Sequence, residues 1–271
     1  MGRHPPNARV REPAVAGAFY PAAASDLRAA LAALLGHASA DAHPAPPAKA
    51  LIVPHAGYVY SGSVAAAAYV RLVTRRSEIS KVVIIGPSHR AYFQGIALPE
   101  ADAFATPLGE IRIDVAGKAR LAARGDVLVS DAPHELEHCI EVQLPFLQTV
   151  LDEFTLIPLL AGVASPQYVA SVLTDVWGGP ETLVLASSDL SHYHPYGSAQ
   201  QLDAQTAAAI VARHSRLSGE QACGAVAING LMARARELGL AVDEIAHLNS
   251  GDTSGDRARV VGYGAFALHD A

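Results

Sequence analysis

KVVIIGPSH, residues 81–89, decides how the rest of the chain is read. Val82, Val83, Ile84 and Ile85 form an unbroken β-branched run, the pattern of a strand covered on both faces. The run stops at a Gly86-Pro87-Ser88 turn, and the next residue is His89. Two other stretches repeat the arrangement: ALIVP at 50–54 ends at His55, and TLVLAS at 182–187 leads through SDLS to His192. TLIPLL at 155–160 and VVGYGAFAL at 260–268 add two more strands, the last with glycines where another element can approach closely.

Helical patterns separate these strands. SDLRAALAALL sets Leu27, Leu31, Leu34 and Leu35 on one face, with Ser25 available as a cap. SVAAAAYVRLV follows with Gly62 near its start. From Glu137 onward, Val142, Leu144, Leu147, Val150 and Leu151 supply an inner face, and PQYVASVLTDVW at 166–177 buries Val169, Val172, Leu173 and Val176. Two further helices are expected over roughly 198–214 and 219–238. Residues 37–49 read as a proline-rich linker, and residues 98–115 as loops with short strand signals that include IRIDV at 111–115. The alternation predicts an α/β fold, a single domain over 14–271 whose mixed or mostly parallel central sheet is covered by helices. Residues 1–13 read as a loose lead-in. Local patterns carry no strand order.

Composition narrows the function classes. The chain has 271 residues, 51% hydrophobic and 17% charged, which excludes disorder over most of its length. Its formal charge of -6 gives no attraction for nucleic acid or an anionic membrane surface. No apolar run reaches transmembrane length and no secretory h-region follows the N-terminus, so the expectation is a soluble, cytoplasmic protein. The two cysteines, Cys139 and Cys223, make no disulfide framework.

In open α/β sheets, ligands gather beyond the carboxyl ends of strands. His55, His89 and His192 stand there and could converge on Zn or Fe, although each alone also fits a packed turn histidine. SSDLSHYHPYG, residues 187–197, adds Asp189, which could ligate a metal or hold a histidine tautomer. His192 is preferred over His194, because the tyrosine–histidine–proline stretch reads as a departing loop. In PHELEHCIEVQLPFL, His138 and Glu141 lie three positions apart and could form an acid/base pair, while Glu141 could equally stabilise a helix N-terminus. Cys139 between them reads as packing. HLNSGDTSGD, residues 247–256, reads as a loop whose Asp252 could complete a metal site or cap a turn. It matches neither an EF-hand nor a phosphate-binding loop.

Taken together, PHAGYVYSG, GPSH, EHCIEVQLPFL, SSDLSHY, NSGDTSGD and VVGYGAFAL resemble the Memo-like protein family from about Val15 to Leu268, in its bacterial AmmeMemoRadiSam system protein B type. That family is structurally similar to class III extradiol dioxygenases, which use non-heme iron to open catechol-like rings. The resemblance implies a dioxygenase-like α/β domain with metal ligands His55, His89 and His192, and His138 as a pocket acid/base. Eukaryotic members add a cysteine late in the chain, for which Asp252 is the nearest match here. A carboxylate there would favour Fe(2+) over Cu, with Zn also possible. The implied activity is oxidoreduction on a small aromatic substrate. Tyr58 and Tyr60 could supply a hydroxyl or an aromatic wall to the pocket, or one of them could pack in the core. The alternative is a metallated accessory to a radical SAM-associated protein.

Overall fold

The β-branched run at 82–85 lies in the middle of a broad sheet. The computed structural model describes residues 8–40 and 44–271. Its first half holds β1 (Val10–Arg11), α1 (Ala24–Ala40), β2 (Ala50–Val53), α2 (Tyr58–Tyr69) and β3 (Lys81–Pro87). Then come β4 (Ile96–Leu98), β5 (Ala103–Thr106), β6 (Gly109–Arg112), α3 (Val115–Ala122), β7 (Val127–Val129) and α4 (Leu144–Val150). The second half holds β8 (Thr155–Ala161), α5 (Pro166–Val176), β9 (Thr182–Ser187), β10 (His192–His194) and α6 (Tyr196–Val211). It closes with α7 (Ala225–Leu238), β11 (Ala241–Asn249), α8 (Ser250–Thr253) and β12 (Val260–His269).

The large sheet runs β10-β12-β2-β9-β3-β8-β4-β7, with β11 added on β12. Its centre, β2-β9-β3-β8, is parallel, whereas β12 pairs with β2 and β4 with β8 in antiparallel fashion. The sheet is therefore mixed, and helices cover both faces. Alternation along each central strand divides the side chains between two cores. Leu51, Val53, Val82, Ile84, Leu183 and Leu185 pack with Leu27 and Leu31 of α1 and Val64 of α2. Ile52, Val83, Ile85, Val184 and Ala186 pack with Val169 of α5, Ile210 of α6 and Ile228 of α7. A continuous apolar run is what a strand with two such faces requires. Where α5 meets α7, a Cβ on Gly230 would lie 2.1 Å from Val169, so only glycine permits that approach.

Several boundaries differ from the local reading. Helix α1 continues through Ala40, so the linker begins later; residues 41–43 lie outside the described residues. Ser25 is inside that helix, where its hydroxyl donates to Asp26 instead of capping. Helix α2 starts at Tyr58, before Gly62. The IRIDV strand ends at Arg112, because Asp114 accepts hydrogen bonds from the Ala116 and Gly117 amides and caps α3. Residues 247–249, expected as loop, extend β11 along β12 as far as the Asn249–Gly262 pair.

The segment expected as a loose lead-in over 1–13 contains a strand. Residues 1–7 lie outside the described residues, and Val10–Arg11 pairs in parallel with β5. Arg11 then inserts its guanidinium beside the fully buried Glu141 carboxylate, which also accepts from the Ala14 and Val15 amides and the Tyr20 hydroxyl. Arg11 Nε donates to the His134 carbonyl at 3.1 Å. This clamp ties the N-terminal segment to the turn over 134–141. Removing one partner of a buried ion pair leaves the other uncompensated. Arg11→Ala should therefore lower the unfolding free energy by about 3–5 kcal/mol, read from urea-induced unfolding. A loss below about 1 kcal/mol, the range of an exposed pair, would show that the clamp is not holding the turn.

Candidate metal centre

Parallel pairing sets Val53 opposite Ser187 and Ile85 opposite Ala186. The residues just beyond β2, β9 and β3 consequently leave the sheet along one edge. His55 and Asp189 stand two positions past β2 and β9, and His89 two positions past β3. The clamped turn over 134–141 brings His138 to the same place. One ligand atom from each of His55, His89 and His138 lies within 4.8 Å of the others. The His89 and His138 rings stack with centroids 4.8 Å apart, and His55 meets them edge-on at 5.3 and 5.4 Å.

Neighbouring groups assign the proton on His55. The Ser187 hydroxyl donates to the Cys139 carbonyl at 2.6 Å and accepts from Gln143 Nε2 at 2.8 Å. Gln143 is itself oriented, since its Oε1 accepts from the Tyr69 hydroxyl at 2.7 Å. Ser187 Oγ is thus left as the acceptor for His55 Nδ1 at 2.9 Å, which places the proton there and leaves Nε2 bare. The His55 amide donates to Asp189 Oδ1 at 2.7 Å, fixing the backbone of the turn.

Burial, then the neighbouring His89, hold the His55 pKa down at about 3. Burial and His55 lower that of His138 to about 4. Burial alone would raise the Glu137 carboxyl, but the His89 hydrogen bond and charge outweigh it and bring the pKa to about 2. Asp189 moves the other way, upward, because it is fully enclosed. Neutral imidazoles beside an ionised carboxylate are the protonation states that a metal cation requires.

His89, His192, His194, Gly219, Glu220 and Cys223 line a cavity of about 510 Å³ next to this cluster. His192, expected as a ligand, stands on the cavity wall, while His138, expected as an acid/base, joins the tight cluster. His194 also faces the cavity, because a bulge and a positive φ of 63° at Tyr193 interrupt the regular strand between the two histidines. Glu141 serves the N-terminal clamp, and Glu137 takes the place beside His138. Asp252 lies apart from the cluster. Its Oδ2 accepts from the Asn249 amide and its Oδ1 from Tyr196, so it caps the short helix α8. Tyr58 is buried against Phe146 and donates to the Val142 carbonyl, and Tyr60 lines neither this cavity nor the apolar one beside Phe19.

The thiol missed in the sequence is Cys223. Its Sγ lies 3.3 Å from His55 Nε2 and accepts from the Asp189 amide at 3.3 Å. Burial and then Asp189 push the thiol pKa up to about 12. With no second cysteine nearby in sequence, EQACGA carries no metal spacing that could have revealed it. As a donor set, three imidazoles, one with an unprotonated Nε2 against the Cys223 thiol, beside an open cavity fit a divalent transition metal.

Comparison with known proteins agrees with this architecture. The family model described as Memo-like protein matches residues 11–267. A MEMO1 family protein of Sulfolobus acidocaldarius is 34% identical, over 94% of this chain and 97% of its own. Relatives of the same description in Aquifex aeolicus and Methanococcoides burtonii are each 33% identical, covering 94% and 96% of this chain and 97% and 100% of theirs. A solved structure described as an uncharacterized protein of Escherichia coli K12 aligns with a TM-score of 0.53 at 10% identity, over 80% of this chain and 98% of that one, a likeness of fold alone. Among the described residues, no helix is long and apolar enough to cross a membrane. With a family match that spans both the strand-end histidines and the clamped turn, the chain belongs to the Memo-like protein family.

Proposed function

We propose that the protein holds a divalent transition metal, Fe(2+), Cu or Zn, at His55, His89 and His138, and that with iron bound there it oxidises a small aromatic substrate with dioxygen. The observation that carries this reading is the three-imidazole cluster opening onto a cavity of about 510 Å³. A redox-active ion bound there would supply the one-electron chemistry that these side chains lack. The protein's own groups do the rest. The buried carboxylates of Glu137 and Asp189 flank the cluster and offset the charge of a dication. His192 and His194 face the cavity, where an imidazole can take a proton from a substrate hydroxyl and return it. Ser187 and Gln143 keep His55 from turning away.

The central test is elemental analysis of protein purified natively or loaded anaerobically with Fe(2+). Near-stoichiometric iron is expected, and His89→Ala should lose it. Oxygen uptake with a panel of hydroxylated aromatic compounds should follow iron loading. His192→Ala should reduce that uptake about 10²–10⁴-fold, the usual contribution of a proton-transfer group, while iron remains bound. Bound metal without uptake on any compound would instead favour the accessory role beside a radical SAM-associated protein.

The depressed histidine pKa values set a second expectation. Between the ordinary 6.5 and about 4, the unfolded chain takes up protons that the folded cluster refuses. The stability these groups provide is therefore complete above pH 6.5 and declines as acid is added. For the metal-free protein, the unfolding free energy should fall by up to about 1.4 kcal/mol per pH unit for each such histidine. His134, buried elsewhere and held at about 4, adds to the slope. A flat profile across that interval would mean that the imidazoles are hydrated and the cluster is not built as described.

A further inference from the structure

We infer that Glu137 is a positioning residue that sets the tautomer of His89, so that this imidazole presents a bare Nε2 to the metal. The inference rests on the metal-binding reading above. Glu137 is buried, and one of its oxygens, Oε1, accepts from His89 Nδ1 at 2.9 Å, while His138 Nδ1 lies 3.2 Å from the same oxygen without hydrogen-bond geometry. That oxygen also accepts from the amides of His138 at 2.9 Å and Cys139 at 3.1 Å. The second oxygen accepts from the His89 amide at 2.6 Å.

Every neighbour named is a donor or can become one, and an ionised carboxylate only accepts. The arrangement is satisfied when the His89 imidazole carries its proton on Nδ1. Its other ring nitrogen then keeps its lone pair and faces away from the carboxylate. The His138 ring stacks on the ring so oriented, 24° between planes. His89 is thereby prepared by Glu137 and His55 by Ser187. Carboxylates behind metal-ligating histidines orient the ring and raise its basicity, and their loss usually costs 10–100-fold in metal affinity.

Glutamine in place of Glu137 cannot imitate this role. Both carboxylate oxygens face backbone N–H groups, so an amide NH₂ opposes a donor in either orientation. The test begins with metal-free wild-type protein labelled with nitrogen-15, in which long-range proton–nitrogen spectra at neutral pH read each imidazole tautomer. His89 should appear protonated on Nδ1; an Nε2-protonated form of it overturns the inference without any variant.

Titration with Co²⁺, followed by its visible absorption, should then show Glu137→Gln binding about 10–100-fold more weakly. Glu137→Asp keeps the charge but shortens the reach, and should also weaken binding and mix the tautomers. It serves in place of Glu137→Gln if that variant does not fold by circular dichroism. Exposed Glu135→Gln should behave as wild type. Folded variants with wild-type tautomers and affinity within about twofold of wild type would reduce Glu137 to a structural role. Wild-type protein that binds no Co²⁺ would instead refute the metal reading, while the tautomer spectra still decide the assignment to Glu137.

Discussion

Parallel pairing of β2, β9 and β3 is the constraint on which the site depends. Each of these strands is buried on both faces, so its register is held by two cores at once. A slip of one residue would send every side chain to the opposite core. Because the register is secure, the chain leaves all three strands along one edge, and His55, His89 and Asp189 emerge side by side. The same geometry explains why a cavity lies there, since the carboxyl ends of a parallel sheet are where helices leave an opening.

The fourth contributor reaches this edge by a different route. His138 sits on a turn whose position depends on Arg11, Glu141 and the amides of Ala14 and Val15. Charge is then distributed economically: one carboxylate, Glu141, holds the turn in place, and another, Glu137, faces its histidines. Buried polar groups in such a network are costly when unpaired and rigid when satisfied. The His89 imidazole on Glu137 is consequently held in one orientation before any ion arrives. Cys223 closes the arrangement from α7's entrance, with its sulfur against the free nitrogen of His55.

Much of the scaffold was legible because long apolar runs and helical periodicity are local properties. The strands at 81–86, 155–160 and 182–187 and the helix at 166–177 appear close to their expected limits. Helix α3 escaped notice because VAGKARLA has few large apolar residues, and its start is announced only by Asp114. Strand β11 was concealed for a related reason: AVDEIAHLN is polar along much of its length and is stabilised by pairing with β12. Glu141 was misread because a three-residue spacing from His138 assumes a regular helix. The backbone there is a turn followed by a short 3-10 segment, and Arg11 draws the carboxylate elsewhere.

By itself, the sequence determined that this is an α/β protein, that histidines follow its best strands, and that its motifs are those of the Memo-like family. The tertiary structure decided which imidazoles meet. It replaced His192 with His138 in the tight cluster, Glu141 with Glu137 behind it, and Asp252 with Cys223 at its edge. The physical reason is that burial and periodicity act on neighbouring residues and leave a pattern in the chain. Convergence of His55 and Cys223, 168 residues apart, depends on strand order and register, which no local pattern encodes.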